Sequence, residues 1–168
     1  LATVVTIALA LVVTAGRRLH PGSSLHAGLL RLSTLGYAIP GTVLAIGLLA
    51  IFGDLDAAVR ALWTGLGSAA PGLLFSASLF AIVSAYVVRF FRLASTKIET
   101  GLERLSPSLD QSARTLGRSP WGVLREIHLP LLTPAIAGAA LLVFIDCMKE
   151  LPATLLLRPL NFETLSTH

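Results

Sequence analysis

The chain has 168 residues, of which 54% are apolar and only 13% charged, and its mean hydropathy is +0.79. This balance excludes an ordinary soluble domain, and the gathering of apolar residues into long runs predicts an all-α, polytopic transmembrane bundle. A single cysteine excludes a disulfide framework or a cysteine zinc site, and the formal net charge of +4 sits between the apolar runs, where it sets orientation rather than attracting nucleic acid.

In chain order, residues 1–15 form an uncharged run that is too short to span a bilayer at ~1.5 Å per residue. With no initiator Met before it, the run reads as the start of a segment of a longer protein. Arg17 and Arg18 follow the run, the reverse of a signal peptide's charged start. Pro21-Gly22-Ser23-Ser24 is a turn signal, and Arg31 closes the small polar loop. Residues 32–53 carry no charge and are long enough to cross ~30 Å of hydrocarbon. Pro40-Gly41 interrupts that run; a kink is expected there, which serves either as structure alone or as a gate hinge. Gly36 and Gly41 would let a neighbouring helix come close.

Asp54 to Trp63 reads as a short amphipathic linker. The third run, residues 73–88, is rich in Ser and Ala, the composition of packing faces between membrane helices. Arg89 and Arg92 end it and open a basic passage through His128 that also holds Lys97, Arg104, Arg114, Arg118 and Arg125, whereas the linker before the third run holds Arg60 alone. The positive-inside rule makes the basic passage cytoplasmic, and four crossings then put the Arg17-Arg18 loop inside and Asp54, Asp56 and the tail outside. The fourth run is 131–147, with Pro134 expected in its first turn after a Thr133 cap. Cys147 lies in it as a packed apolar side chain.

Within the basic passage the local signals are dense. Ser106-Pro107 is a helix start, with Ser108 and Gln111 in capping-box spacing as an alternative start two residues later. Leu109, Ala113 and Leu116 share a face at i, i+4 and i+7, while Asp110, Arg114 and Arg118 project elsewhere. Gly117 is suited to close that helix in the left-handed conformation. Ser119-Pro120 starts a second piece carrying Trp121, Leu124 and Ile127, and Pro130 is expected to interrupt it. His128 is expected at the surface. The four histidines (His20, His26, His128, His168) show no metal-ligand spacing, so no metal site is expected.

Gln111, Ser112 and Ala113, then three residues, Gly117, nine residues, and Ile127-His128-Leu129-Pro130 reproduce the spacing of a known loop. The passage resembles the cytoplasmic loop of binding-protein-dependent ABC importer permeases, departing from it at Gln111, where that pattern has Glu, and at Ser112, where it has Ala. GYAIPGTVLAIGLL (Gly36 to Leu49), SAYVVRFFRLA (Ser84 to Ala94) and FIDCMKELPATLLLRPLNFETL (Phe144 to Leu165) resemble the ferric-iron branch of these permeases. Thiamine and phosphonate permeases share parts of the pattern.

The resemblance implies one transmembrane permease domain over 1–168, the second half of a longer permease chain, with a coupling loop at 89–130. It implies a multi-pass inner-membrane subunit that is not an enzyme and binds no cofactor, ATP being bound by a partner. The implied partners are ATP-binding cassette subunits, an extracytoplasmic substrate-binding protein, a second permease half or subunit, and membrane lipid, but not nucleic acid. The absence of a GxxxxGK[ST] loop agrees with this division of labour.

The coupling residues would be Leu109, Gln111, Ser112, Ala113, Leu116, Gly117, Trp121, Ile127, Leu129 and Pro130. Trp121 would be either an interfacial anchor or an aromatic plug into the partner. Pro40, Gly41, Asp146, Glu150 and Pro152 are candidates for the pathway or its gate. For Asp146 the alternative is a local pair with Lys149 at the headgroups; for Glu150 it is a charge at headgroup level. Two rivals come from other classes. A membrane-embedded enzyme would need convergent polar groups that the four runs lack, and a purely structural helical bundle would not require the fixed spacings of the loop.

Overall fold

In the computed structural model, residues 1–19, 24–67, 69, 71–76 and 78–159 are described. His20, the first three residues of the Pro21-Gly22-Ser23-Ser24 turn signal, Ser68, Ala70, Ala77 and everything from Leu160, including the end of the tail motif and His168, lie outside the described residues. The elements are α1 (Ala2–Leu19), α2 (Ser24–Ala38), α3 (Gly41–Gly65), α4 (Leu79–Glu103), α5 (Pro107–Thr115), α6 (Pro120–Val123), a π-helical turn (Leu124–His128), α7 (Leu129–Lys149) and α8 (Leu151–Leu157). Among the described residues there is no strand.

The bundle is built around α4, which α1, α2, α3, α7 and α8 all contact. Its inward face alternates small and large residues: Ala81, Ala85 and Ala94 admit neighbouring helices, while Ile82, Phe90, Phe91, Ile98 and Leu102 fill the space between them. The exterior is also apolar, with Val4, Val12, Leu32, Leu35, Ile46, Ile51 and Leu141 all exposed, as a lipid-facing surface requires. Among the described residues, three continuous helical stretches are long and apolar enough to cross a membrane: Gly41–Gly65, Leu79–Glu103 and Pro120–Lys149.

Several expectations of the sequence are corrected. Asp54 to Trp63 is not a linker but the continuation of α3. Asp56 is buried, and its carboxylate accepts from the backbone N–H groups of Leu74 (2.9 Å), Phe75 (3.0 Å) and Ser76 (2.8 Å), fastening the connection before α4 onto α3. Phe52, Phe75 and Phe80 cluster at this joint with ring centroids 5.5–6.4 Å apart, Phe75 stacked on Phe52 and edge-on to Phe80. The third run differs from its helix at both ends: α4 begins only at Leu79, capped by Ser78, and continues beyond Arg89 and Arg92 to Glu103.

Pro130 does not interrupt its helix either. The helix widens into the π turn just before it, with the Leu129 N–H bonded to the Leu124 carbonyl, and so absorbs the missing donor and the ring of Pro130 without breaking. Pro134 is therefore interior to α7 rather than in the first turn of a new helix. Pro40 produces a full break rather than a kink. The residue before a proline is driven out of the helical region, so α2 stops at Ala38 and Pro40 stands as the extended cap of α3.

Candidate functional site

Two places concentrate the sequence-derived candidates, an elbow at one end of the bundle and a charged joint within it. The elbow follows local chemistry closely. Ser106 is the cap of α5, its hydroxyl accepting from the Ser108 N–H at 3.3 Å, and Pro107 takes the first helical position. At the other end of α5, Gly117 has φ +76°. The Arg118 N–H bonds the Ala113 carbonyl at 3.0 Å and the Gly117 N–H bonds that of Arg114 at 2.9 Å, the paired closure of a Schellman motif. Ser119 then caps α6 through the Gly122 N–H at 3.2 Å, with Pro120 next.

The expected stripe of Leu109, Ala113 and Leu116 is divided by the fold. Ala113 is buried, whereas Leu116 is 81% exposed, Trp121 69% and Leu109 39%. Gln111, Ser112 and Pro130 are also exposed, and Ile127 and Leu129 are half-buried. The elbow thus turns Ala113 and Val123 inward and presents Leu109, Leu116 and Trp121 outward. Arg118 and Glu126 form a 3.2 Å pair beside them.

His128 is not at the surface; it is fully buried in the π turn. Its Nε2 lies 2.7 Å from Asp110 Oδ1, and Asp110 Oδ2 accepts from Arg18 Nε at 2.9 Å. Arg18 also donates through Nη2 to the Leu105 carbonyl at 2.9 Å and through Nη1 to the Leu102 carbonyl. Partial burial pushes the Asp110 carboxyl up, but its hydrogen bonds and charge contacts with His128 and Arg18 outweigh this and hold it below the ordinary carboxylate range. Arg17 pairs with Glu99 at 2.9 Å, and a cavity of about 610 Å³ opens between these groups and Pro107.

The second place joins two helix breaks. Pro40 separates α2 from α3, and Pro152, whose ring cannot follow an unbroken α7, separates α7 from α8 at Glu150. Arg89, near the middle of α4, reaches both: Nη1 donates to the Ile39 carbonyl at 2.7 Å and Nε pairs with Glu150 at 2.9 Å. Arg89 thereby satisfies a carbonyl exposed at the break, as backbone at membrane depth demands. Gly41 is buried against Glu150, and a Cβ there would overlap the carboxylate. Tyr86 and the Glu150 carbonyl both hydrogen-bond the Thr154 hydroxyl, tying α8 back to α4.

The ion pair corrects a placement made from charge pattern. Arg89 was assigned to the cytoplasmic passage and Glu150 to the outer side, yet at 2.9 Å they occupy one depth. Of the pathway candidates, Gly41 and Glu150 come together, and Asp146 lines a neighbouring cavity of about 300 Å³ with Tyr37, Lys149 and Glu150. Pro40 and Pro152 shape the two breaks and are themselves exposed. Sequence reasoning missed Arg18, Asp110, Arg89, Tyr86 and Thr154. Charges flanking apolar runs read as orientation signals, and nothing in their spacing showed that they pair across the bundle. Among the described residues, no group of three or more His, Cys, Asp or Glu side chains is placed to hold a metal ion.

The chain is 36% identical over 113 residues to the Fe(3+)-transport system permease protein FbpB 2 of Haemophilus influenzae, covering 58% of this chain and 22% of that protein. It is 34% identical over 116 residues to PhnV of Salmonella typhimurium, named for 2-aminoethylphosphonate transport, covering 66% of this chain and 43% of the relative. Against the molybdenum transport system permease protein ModB of Escherichia coli it is 37% identical over 84 residues, covering 50% and 37%. The chain thus spans less than half the length of these relatives. Residues 4–164 match the family described as binding-protein-dependent transport system inner membrane component, and the chain belongs to that family.

Proposed function

We propose that this chain is part of the transmembrane permease of an ABC importer, in which the elbow at Leu109–Pro130 couples ATP hydrolysis on a separate cassette subunit to substrate uptake. The observation that carries the reading is the elbow itself: two capped helices fixed by the Gly117 closure, with Leu116 and Trp121 exposed beside half-buried Ile127 and Leu129. Exposed aromatic and aliphatic side chains on a rigid turn are the anchors a protein partner buries. The cassette subunit binds ATP, a substrate-binding protein delivers cargo on the opposite side of the membrane, and a second permease half or subunit completes the pathway. Differential contact of the cassette with the elbow in its two states would drive the change in access.

Ferric iron is the substrate we assign, on the passages Gly36 to Leu49, Ser84 to Ala94 and Phe144 to Leu165 and on the similarity to the Haemophilus permease. A phosphonate is the second reading, favoured by the similarity to PhnV. Uptake of radiolabelled ferric iron, thiamine, 2-aminoethylphosphonate and molybdate by cells expressing the complete transporter separates these. The elbow is tested in the same cells. Leu116→Asp places a charge in the exposed apolar patch, and we expect at least a tenfold loss of cassette co-purification with normal accumulation of the permease. Arg118→Ala, already solvated and paired only with Glu126, should lose less than twofold. Undiminished co-purification of Leu116→Asp would overturn the docking role.

A further inference from the structure

Three polar side chains from three separate parts of the chain converge under the elbow: Arg18 at the end of α1, Asp110 in the first turn of α5 and His128 in the π turn ahead of α7. One carboxylate serves both bases, Oδ2 toward Arg18 Nε and Oδ1 toward His128 Nε2. The guanidinium's remaining donors go to the carbonyls of Leu102 and Leu105, at the end of α4 and just beyond it. The Leu102 carbonyl also accepts from the Leu105 N–H at 3.1 Å, and a cation beside a helix C-terminus is favourable to the helix dipole. Arg18 and Asp110 are largely shielded and His128 is wholly so, conditions in which each hydrogen bond is stronger and each lost partner costlier than at a surface.

We propose that Arg18, Asp110 and His128 are positioning residues that fasten the elbow to α1, α4 and α7, so that a displacement of the docking surface moves all three helix ends as one body. This rests on the coupling role of the elbow and extends it. The exposed residues receive the partner, and the buried triad carries the movement into the bundle. Ala113 is the one buried residue of α5, and the Arg18–Asp110 pair gives this short helix a charged side-chain link to α1. The arrangement also accounts for where the π turn lies. Its five residues Leu124–His128 place the imidazole at the turn's end, with Nε2 at hydrogen-bonding distance from Asp110.

The test measures rigidity directly and does not depend on the substrate. Spin labels at Arg17→Cys and Thr115→Cys, in a Cys147→Ala background, report the α1–α5 distance in the complete transporter. Arg17 is half-exposed and its pair with Glu99 lies outside the triad, so labelling leaves the triad intact. We expect one narrow distance distribution, the same in the nucleotide-free and vanadate-trapped states. Asp110→Asn combined with His128→Leu should at least double its width while the cassette still co-purifies. His128→Gln, which can keep a donor near the position of Nε2, should restore most of the narrow distribution. Should the double variant fail to accumulate, Arg18→Lys keeps the charge but loses the fork to the two carbonyls, and should broaden the distribution on its own. A distance that changes between the two states with the triad intact, or a width unaltered in these variants, would overturn the proposal. Loss of co-purification in Leu116→Asp without any effect of the triad variants would leave the docking reading standing and remove this one.

Discussion

At the scale of the residue, Arg89 and Glu150 act by pairing rather than by exposure. Glu150 is buried, Arg89 is mostly so, and each is the other's counter-charge at 2.9 Å. Removing one partner of such a pair leaves an uncompensated charge, at a cost of ~3–5 kcal/mol, whereas replacing both with apolar side chains is often neutral. Glu150→Leu should therefore lower the thermal stability of the purified permease sharply, and adding Arg89→Met should recover most of it. The Ile39 carbonyl, which would lose its donor in the double variant, sets the part that is not recovered. Equal melting temperatures for wild type and Glu150→Leu would show that the pair contributes nothing.

At the scale of the element, the elbow depends on one backbone angle. Gly117 has φ +76°, and a Cβ there would meet no atom within 4 Å, so the cost of substitution is conformational and not steric. A β-branched residue in that conformation costs ~1–3 kcal/mol, while Asn adopts it with less strain. Cassette co-purification should fall in the order Gly, Asn, Ala, Val at this position, with the membrane helices unaffected because they lie outside the turn. Retention of full association by Gly117→Val would mean that the turn does not set the docking geometry. The helices themselves obey a related rule: Gly36 is packed so closely against the Val88 carbonyl that no side chain fits between α2 and α4.

At the scale of the whole molecule, the elbow and the end of α3 lie at opposite ends of α4. Phe52 of α3 packs near the start of α4, while α5 follows its end after a short connection. If the basic elbow faces the cytoplasm, as the positive-inside rule predicts, a cysteine at Ser108 or Ser119 should react with an impermeant thiol reagent from the cytoplasm alone. One at Leu66, exposed after α3, should react from outside alone, all in a Cys147→Ala background. Reaction of Ser108 and Leu66 from the same side would rule out this orientation.

Much of this was legible in the residues. The helical class followed from apolar runs, because a backbone in lipid must satisfy its own hydrogen bonds. The elbow followed from Ser106-Pro107, Gly117 and Ser119-Pro120, whose preferences are local and act within one turn of chain. The break at Pro40 was marked too, though not its completeness. What the tertiary structure alone decided was the fate of the charges. Asp56 became a clamp on the segment before α4, Arg89 met Glu150 across two helix breaks, and Arg18, Asp110 and His128 closed beneath the elbow. Local chemistry fixes caps and turns because the partners are neighbours in sequence. An ion pair between residues 61 or 92 positions apart is set by how helices pack, and hydropathy and spacing carry no record of that.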